Sequence, residues 1–287
     1  TDPEDQWGLA ELSNQMLLES TGDKTSTELS TILYELAVDV GIQTTRQHTI
    51  VQISAHKDRI DSALAIISEM IFTPKFEQSD WDRIHEQHLA GLQQSRQDSS
   101  WVASQYSGYF LYGSTHPLGR PVRGTPKTVE SLTVEAAKEW HHNRLRGAEY
   151  SMGVVVVGDI TTASVNELVS KHLNQFPKRD REGMVSGVVP PVLVDTSFAS
   201  AKTILVDMPG SEQTSIRILS RAYRDQDSKA VPADLAGIVM GGTFTSRLNA
   251  KLREEKGYTY GAGCGFVGGY YGNHLSVRTN VQTPSTA

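Results

Sequence analysis

The sequence holds one cysteine, Cys264, so no internal disulfide can form, and the residue sits in an alternating pattern where it reads as a small strand side chain rather than a reactive thiol. Long hydrophobic runs are missing as well: no stretch of about 18 consecutive apolar residues could cross a bilayer as a helix. Positive charge is in the minority. Against 33 Asp and Glu there are 27 Lys and Arg, a formal net charge of -6, which excludes a basic footprint for nucleic acid or an anionic membrane surface. The sequence opens without a Met, and no signal peptide is visible in it. The chain opens on Thr1 and closes on Thr283-Pro284-Ser285-Thr286-Ala287, a cap residue and N1 proline announcing a helix, so the sequence reads as a fragment. What remains is 287 residues at 38% hydrophobic content, enough for a core and for two domains.

The most punctuated stretch runs from Leu235 to Gly272. Leu235 to Met240 is apolar, Gly241-Gly242 breaks it, and Thr243, Thr245 and Ser246 offer hydroxyls to the free amides of a helix predicted over Arg247 to Lys256. Leu248 and Leu252 share one face of that helix, and Gly257 supplies its left-handed stop. The period then changes to 2, with Tyr258, Tyr260, Ala262, Cys264 and Phe266 on one face and Thr259, Gly261, Gly263 and Gly265 on the other. A strand face of glycines lets another backbone approach. Gly268-Gly269 reads as a hairpin turn into a strand from Leu275 to Val281.

Upstream, Trp7 to Leu18 predicts a helix with the stripe Leu9, Leu12 and Met16, and a second helix spans Ser26 to Val38. Strands follow at Ile42 to Thr45 and Thr49 to His56, the latter setting Ile50 and Ile53 among polar neighbours. Helices are predicted over Asp58 to Phe72, with Ile60, Leu64, Ile67 and Ile71 on one face, and over Phe76 to Gln97, Ser99 to Leu111, Thr133 to Arg144 and Ala163 to Phe176. Ser151 to Val157 reads as a buried strand and Lys202 to Met208 as an alternating one, with Ser215 to Ser220 continuing the sheet. The convincing linker is Lys178 to Gly183 with Pro190-Pro191. The order helix, glycine stop, strand, hairpin, strand, helix start occurs at Ser26 to Asp58 and again at Ser246 to Pro284, which suggests two copies of one domain type, over 1–182 and 193–287.

His116-Pro117-Leu118-Gly119-Arg120-Pro121, Gly124-Thr125-Pro126, Leu132-Thr133 and Val154-Val155-Val156-Val157-Gly158-Asp159 resemble the first domain of the pitrilysin/insulinase zinc peptidases, the inverzincin family that includes the mitochondrial processing peptidase and its bacterial relatives. Gly242 to Gly261 resembles that family's second domain. The resemblance implies an α+β fold: two similar domains, each a mainly antiparallel sheet with packed helices, here lacking the family's opening strands and closing helices. Catalytic members carry His-x-x-Glu-His after Gly-Leu-Ala. Gly8-Leu9-Ala10 is present, but the three motif positions hold Glu11, Asn14 and Gln15, and the downstream ligand falls near Gly91. Two neutral amides and a glycine cannot supply a zinc set, and losing two or more ligands removes most of the ~10 kcal/mol or more that holds such an ion. The general base is gone too. The resemblance therefore implies that no cofactor is bound by this chain and that zinc resides in a partner unit.

Two histidine groups compete. His85 and His88 lie at i, i+3 on the predicted long helix, where they could bind a metal given a third ligand, or simply form a solvated face. His141 and His142 point about 100° apart and cannot chelate together. Arg253 and Tyr260, in Leu252-Arg253-Glu254-Glu255-Lys256-Gly257-Tyr258-Thr259-Tyr260, match the family's second-domain Arg and Tyr, which bind substrate and help stabilise the oxyanion at a facing domain's zinc. Apart from the resemblance, the favoured account is structural, an Arg capping a helix end and a Tyr filling a strand face, and Tyr258 is a rival. The expectation is a non-catalytic half or subunit of a zinc metalloendopeptidase, with a peptide substrate and a homologous zinc-bearing unit as partners. The alternative is a structural scaffold subunit without peptidase activity.

Overall fold

The computed structural model describes residues 2–3, 5–146, 152–176, 202–222, 228–269 and 272–286, which fall into two units. The linker expected at 178–191 lies outside the described residues.

The first unit draws on Thr1–Ala90 and Val122–Val188. Helix α1 (Leu9–Gln15) begins where the Asp2 carboxylate accepts the N–H groups of Gly8 and Ala10, both at 2.8 Å. Its stripe is buried as the spacing predicts: Leu9, Leu12 and, in the 3-10 turn Met16–Leu18, Met16. Helix α2 (Ser26–Glu35) starts at a reciprocal capping box between Thr25 and Glu28. Strands β1 (Asp39–Thr44) and β2 (Thr49–Ser54) form an antiparallel hairpin, with Thr44 opposite Thr49. Period 2 sets Val51 and Ile53 on the face that packs against the core, and Ile50 is 43% exposed, so the expected Ile50 and Ile53 pairing does not hold.

Helix α3 (Ile60–Phe72) buries Ala63, Ile66, Ile67 and Met70, a face turned slightly from the one its isoleucines mark, and packs Ile66, Ile67 and Met70 against Leu29 of α2. Helix α4 (Gln78–Ser95) belongs to this unit through Ala90, and helices α6 (Pro126–Glu130), α7 (Val134–Arg146) and α8 (Thr162–His172) complete it. The strand expected at Ser151 to Val157 is absent from its described part, 152–157. Those residues make no ladder with any described strand, and Val155 and Val157 stand 90% and 94% exposed.

The second unit draws on Gly91–Pro121 and Val189–Ala287. Helix α5 (Ser99–Tyr112), capped by Asp98, packs on strand β3 (Gln213–Ala222). Strands β4 (Ala262–Gly269) and β5 (Gly272–Gln282) complete an antiparallel sheet in the order β3-β5-β4. Helix α9 (Ala230–Gly237) continues as a π-helical turn over Ile238–Gly242. Helix α10 (Arg247–Asn249) likewise runs on as a π-helical turn over Ala250–Glu255.

Three expectations change here. Residues 202–208 make no ladder with any described strand, with Leu205 89% exposed. Gly268 and Gly269 belong to β4 rather than to a turn, so the connection lies outside the described residues. Strand β4 begins only at Ala262, which leaves Tyr258 and Tyr260 in the loop before it. The architecture is α+β with antiparallel sheets, as the sequence implies.

Candidate functional site

The organising stretch forms a compact corner of the second unit. Gly241 lets the π-turn after α9 lie on β4, because a Cβ there would overlap the backbone nitrogen of Cys264. The backbone approach therefore comes over Cys264, whose thiol burial holds above its ordinary pKa. The glycine face of the strand serves differently from expectation: a Cβ at Gly263 would meet the Arg278 side chain, 2.9 Å from Nε, and Gly265 faces open space.

Gly257, at φ 64, ends the helix that begins at Arg247, and the Tyr258 N–H returns to the Leu252 carbonyl at 2.9 Å. Between that stop and the strand, buried Asn249 fastens the corner. Its side-chain nitrogen donates to the carbonyls of Thr243 (2.9 Å) and Ala262 (3.1 Å) and to Ser246 Oγ (3.1 Å), while its oxygen accepts the Ala262 N–H at 2.8 Å. Arg253 lies one turn after Asn249, and Tyr260 two residues before Ala262.

Arg253 lays its guanidinium over the Phe244 ring, 3.9 Å from the centroid, with its Nε 3.7 Å from Glu254 Oε1. Tyr260 is 90% exposed. The structure thus brings Arg253 together with Phe244 and leaves the Tyr260 ring in solvent beside the same corner. Phe244 was not singled out by sequence; the available signal was an aromatic inside the hydroxyl-rich segment Thr243-Phe244-Thr245. Both Arg253 and Tyr260 present donors to solvent, a guanidinium fork and a phenol, which suits recognition of peptide carbonyls.

The metal motif has become structural. Glu11, Asn14 and Gln15 share one face of α1, but Gln15 Nε2 donates to Glu11 Oε1 at 3.0 Å. Buried Asn14 donates to Thr44 Oγ1 (3.0 Å) and Thr49 Oγ1 (2.9 Å), tying α1 to the mouth of the β1–β2 hairpin. No group of three or more His, Cys, Asp or Glu that could hold a metal occurs among the described residues. This donor set does not fit zinc.

The histidines are employed elsewhere. His85 Nε2 donates to the Val129 carbonyl at 2.7 Å and His88 Nε2 to that of Arg123 at 2.8 Å, so they hold α4 to the segment that carries α6. Neither the metal-site nor the solvated-face reading survives for His88, which is 4% exposed. His141 is likewise buried and donates from Nε2 to the Ile71 carbonyl at 2.9 Å. Burial lowers the pKa of both His88 and His141.

Comparison with known proteins adds a family. Residues 131–285 match the family model described as peptidase M16 inactive domain, and residues 1–107 match insulinase (peptidase family M16). The non-peptidase homolog YmxG of Helicobacter pylori is 23% identical over 289 residues, covering 98% of this chain and 64% of the relative, so the chain spans just under two thirds of that protein. Among solved structures, a protease from Helicobacter pylori superposes with a TM-score of 0.80 at 17% identity, over 98% of this chain and 67% of the other. The peptidase M16 inactive domain from Pseudomonas fluorescens gives 0.77 at 22% identity, over 96% and 65%.

Proposed function

The chain belongs to peptidase family M16, and on that premise we propose that it is a non-catalytic unit that holds peptide substrate for a homologous unit carrying the zinc and the base. One observation carries this reading: the two halves of the family's site have met opposite fates. The metal positions are consumed by a helix-to-hairpin tie through Asn14, while Arg253 and Tyr260 stay accessible on a corner that Asn249 fastens.

In this reading Arg253, oriented by the Phe244 face, and Tyr260 donate hydrogen bonds to carbonyls of an extended peptide and fix its position. Their contribution is orientation, with the reactive groups supplied from outside this chain. The name non-peptidase homolog, carried by the Helicobacter pylori relative, agrees with a unit that has no turnover alone.

The test is to combine the chain with a zinc-bearing M16 unit from the same source and measure cleavage of an unfolded peptide. Arg253→Ala and Tyr260→Phe should each lower kcat/KM of the combined enzyme by about 10-fold or more, the worth of one lost charge-assisted or neutral donor. Unchanged kcat/KM for both variants overturns the clamp. Stable assembly without turnover in any pairing points to the scaffold reading instead.

A further inference from the structure

The ladder between β3 and β5 sets Arg217 directly opposite Arg278. Like charges at facing positions of an antiparallel pair repel, and natural sheets place opposite charges there. Neither arginine takes part in an ion pair among the described residues. Arg217 is half-buried, its Nε has no hydrogen-bond partner, and its Nη2 reaches the Ser100 carbonyl only at 3.5 Å. Burial, and then Arg278, holds its pKa below the ordinary arginine value, although a guanidinium keeps its charge.

Both arginines line an open pocket of about 440 Å³ whose wall also includes Thr243, Thr279 and Asn280, and among the described residues no acidic side chain lines it. Gly263 opens this space by leaving room for the Arg278 side chain. With a net charge of -6 the chain as a whole repels anions, so an accumulation of unneutralised positive charge in one cavity is a local feature of its own.

We propose that this cavity binds a small organic oxyanion, a carboxylate or phosphate group held between the Arg217 and Arg278 guanidinium groups. Two planar forks with free donors match the paired oxygens of either group. Thr243, Thr279 and Asn280 add neutral polar groups around it. The space exceeds one bare oxyanion and leaves room for a short carbon skeleton toward the Phe244 side of the wall. The ligand would replace the missing carboxylate between the two strands, so its binding should stiffen the sheet. None of this rests on the peptide-clamp reading.

The experiment uses the 287-residue chain. Sodium succinate and sodium phosphate are titrated by calorimetry and thermal melting, against sodium chloride at matched ionic strength. Expected is saturable binding of at least one of the two oxyanions with a Kd of about 1 mM or lower, together with a raised melting temperature that chloride does not reproduce. Succinate and phosphate distinguish the carboxylate from the phosphate source. Arg278→Gln, at an exposed position that tolerates exchange, should weaken binding about 10-fold or more and raise the melting temperature of the ligand-free protein by relieving the facing charges; Arg59→Gln, on the first unit's surface, should change neither. The inference is overturned if neither anion binds saturably up to about 20 mM, or if Arg278→Gln binds as tightly as the parent.

Discussion

The side-chain amide of Asn249 engages both backbone polar groups of Ala262, accepting its N–H at 2.8 Å and donating to its carbonyl at 3.1 Å. The pairing reproduces, with one side chain, what a neighbouring strand would provide to the first residue of β4. It fixes the distance along the corner between a helix that carries Arg253 and a loop that carries Tyr260.

Asn249→Ala should therefore destabilise the chain by about 2–3 kcal/mol, because Ala262 is buried and both its groups lose their partner. Asn249→Asp retains the acceptor but sets a buried carboxylate oxygen against the carbonyls of Thr243 and Ala262, and should cost at least as much. Urea unfolding measures both. A cost under about 0.5 kcal/mol for Asn249→Ala would show that the corner holds without the clamp.

Asn14 and Gln15 occupy neighbouring positions of the emptied motif and should behave differently. Asn14→Ala leaves two threonine hydroxyls at the hairpin mouth without their partner and should cost about 1–3 kcal/mol. Gln15→Ala breaks only a partly exposed bond to Glu11 and should stay within about 0.5 kcal/mol. Equal effects would mean that Asn14 is not the tie.

Stability should fall in mild acid. His88 and His141 are buried, and each donates from Nε2 to a carbonyl, with burial holding the pKa below the ordinary 6.5. The unfolded chain takes up these protons near pH ~6.5 while the folded chain resists them. The stabilising contribution is thus complete above that pH and is lost as pH drops below it, toward the depressed folded values. The melting temperature should decline between about pH 7 and pH 5, and less steeply in His141→Gln, whose amide can still donate to Ile71. A flat profile over that window contradicts the assignment.

Gly241 has no tolerance for a side chain, since a Cβ would overlap the Cys264 nitrogen in β4. Gly241→Ala should cost about 1–3 kcal/mol by forcing the π-turn off the strand, whereas Gly257→Asn, at a left-handed C-terminal position, should cost less than about 1 kcal/mol. Thermal melts of the two variants compare them directly.

The longer helices of the first unit were legible because they carry an apolar period: the stripe Leu9, Leu12 and Met16 is buried, and Gly257 marks a stop that the structure also shows, whereas the caps at Thr25 and Asp98 and the helices at Pro126–Glu130 and Ala230–Gly237 emerge only from the structure. The apolar runs near 152–157 and 202–208 misled, because a strand exists only with a partner, and composition says nothing about whether one is present. The histidines were read as metal or solvent residues since no local pattern reveals a carbonyl arriving from Val129, Arg123 or Ile71.

By itself the sequence determined the family, the α+β class and the presence of Glu11, Asn14 and Gln15 where the family's metal motif would stand, because these depend on residue identity and short spacing. Only the tertiary structure decided what those residues do instead. Asn14 meets Thr44 and Thr49 from across the unit, Asn249 meets Ala262, Arg253 finds Phe244, and Arg217 comes to face Arg278. These pairings are set by strand register and by how closely a glycine lets two backbones approach, and both are properties of the assembled chain.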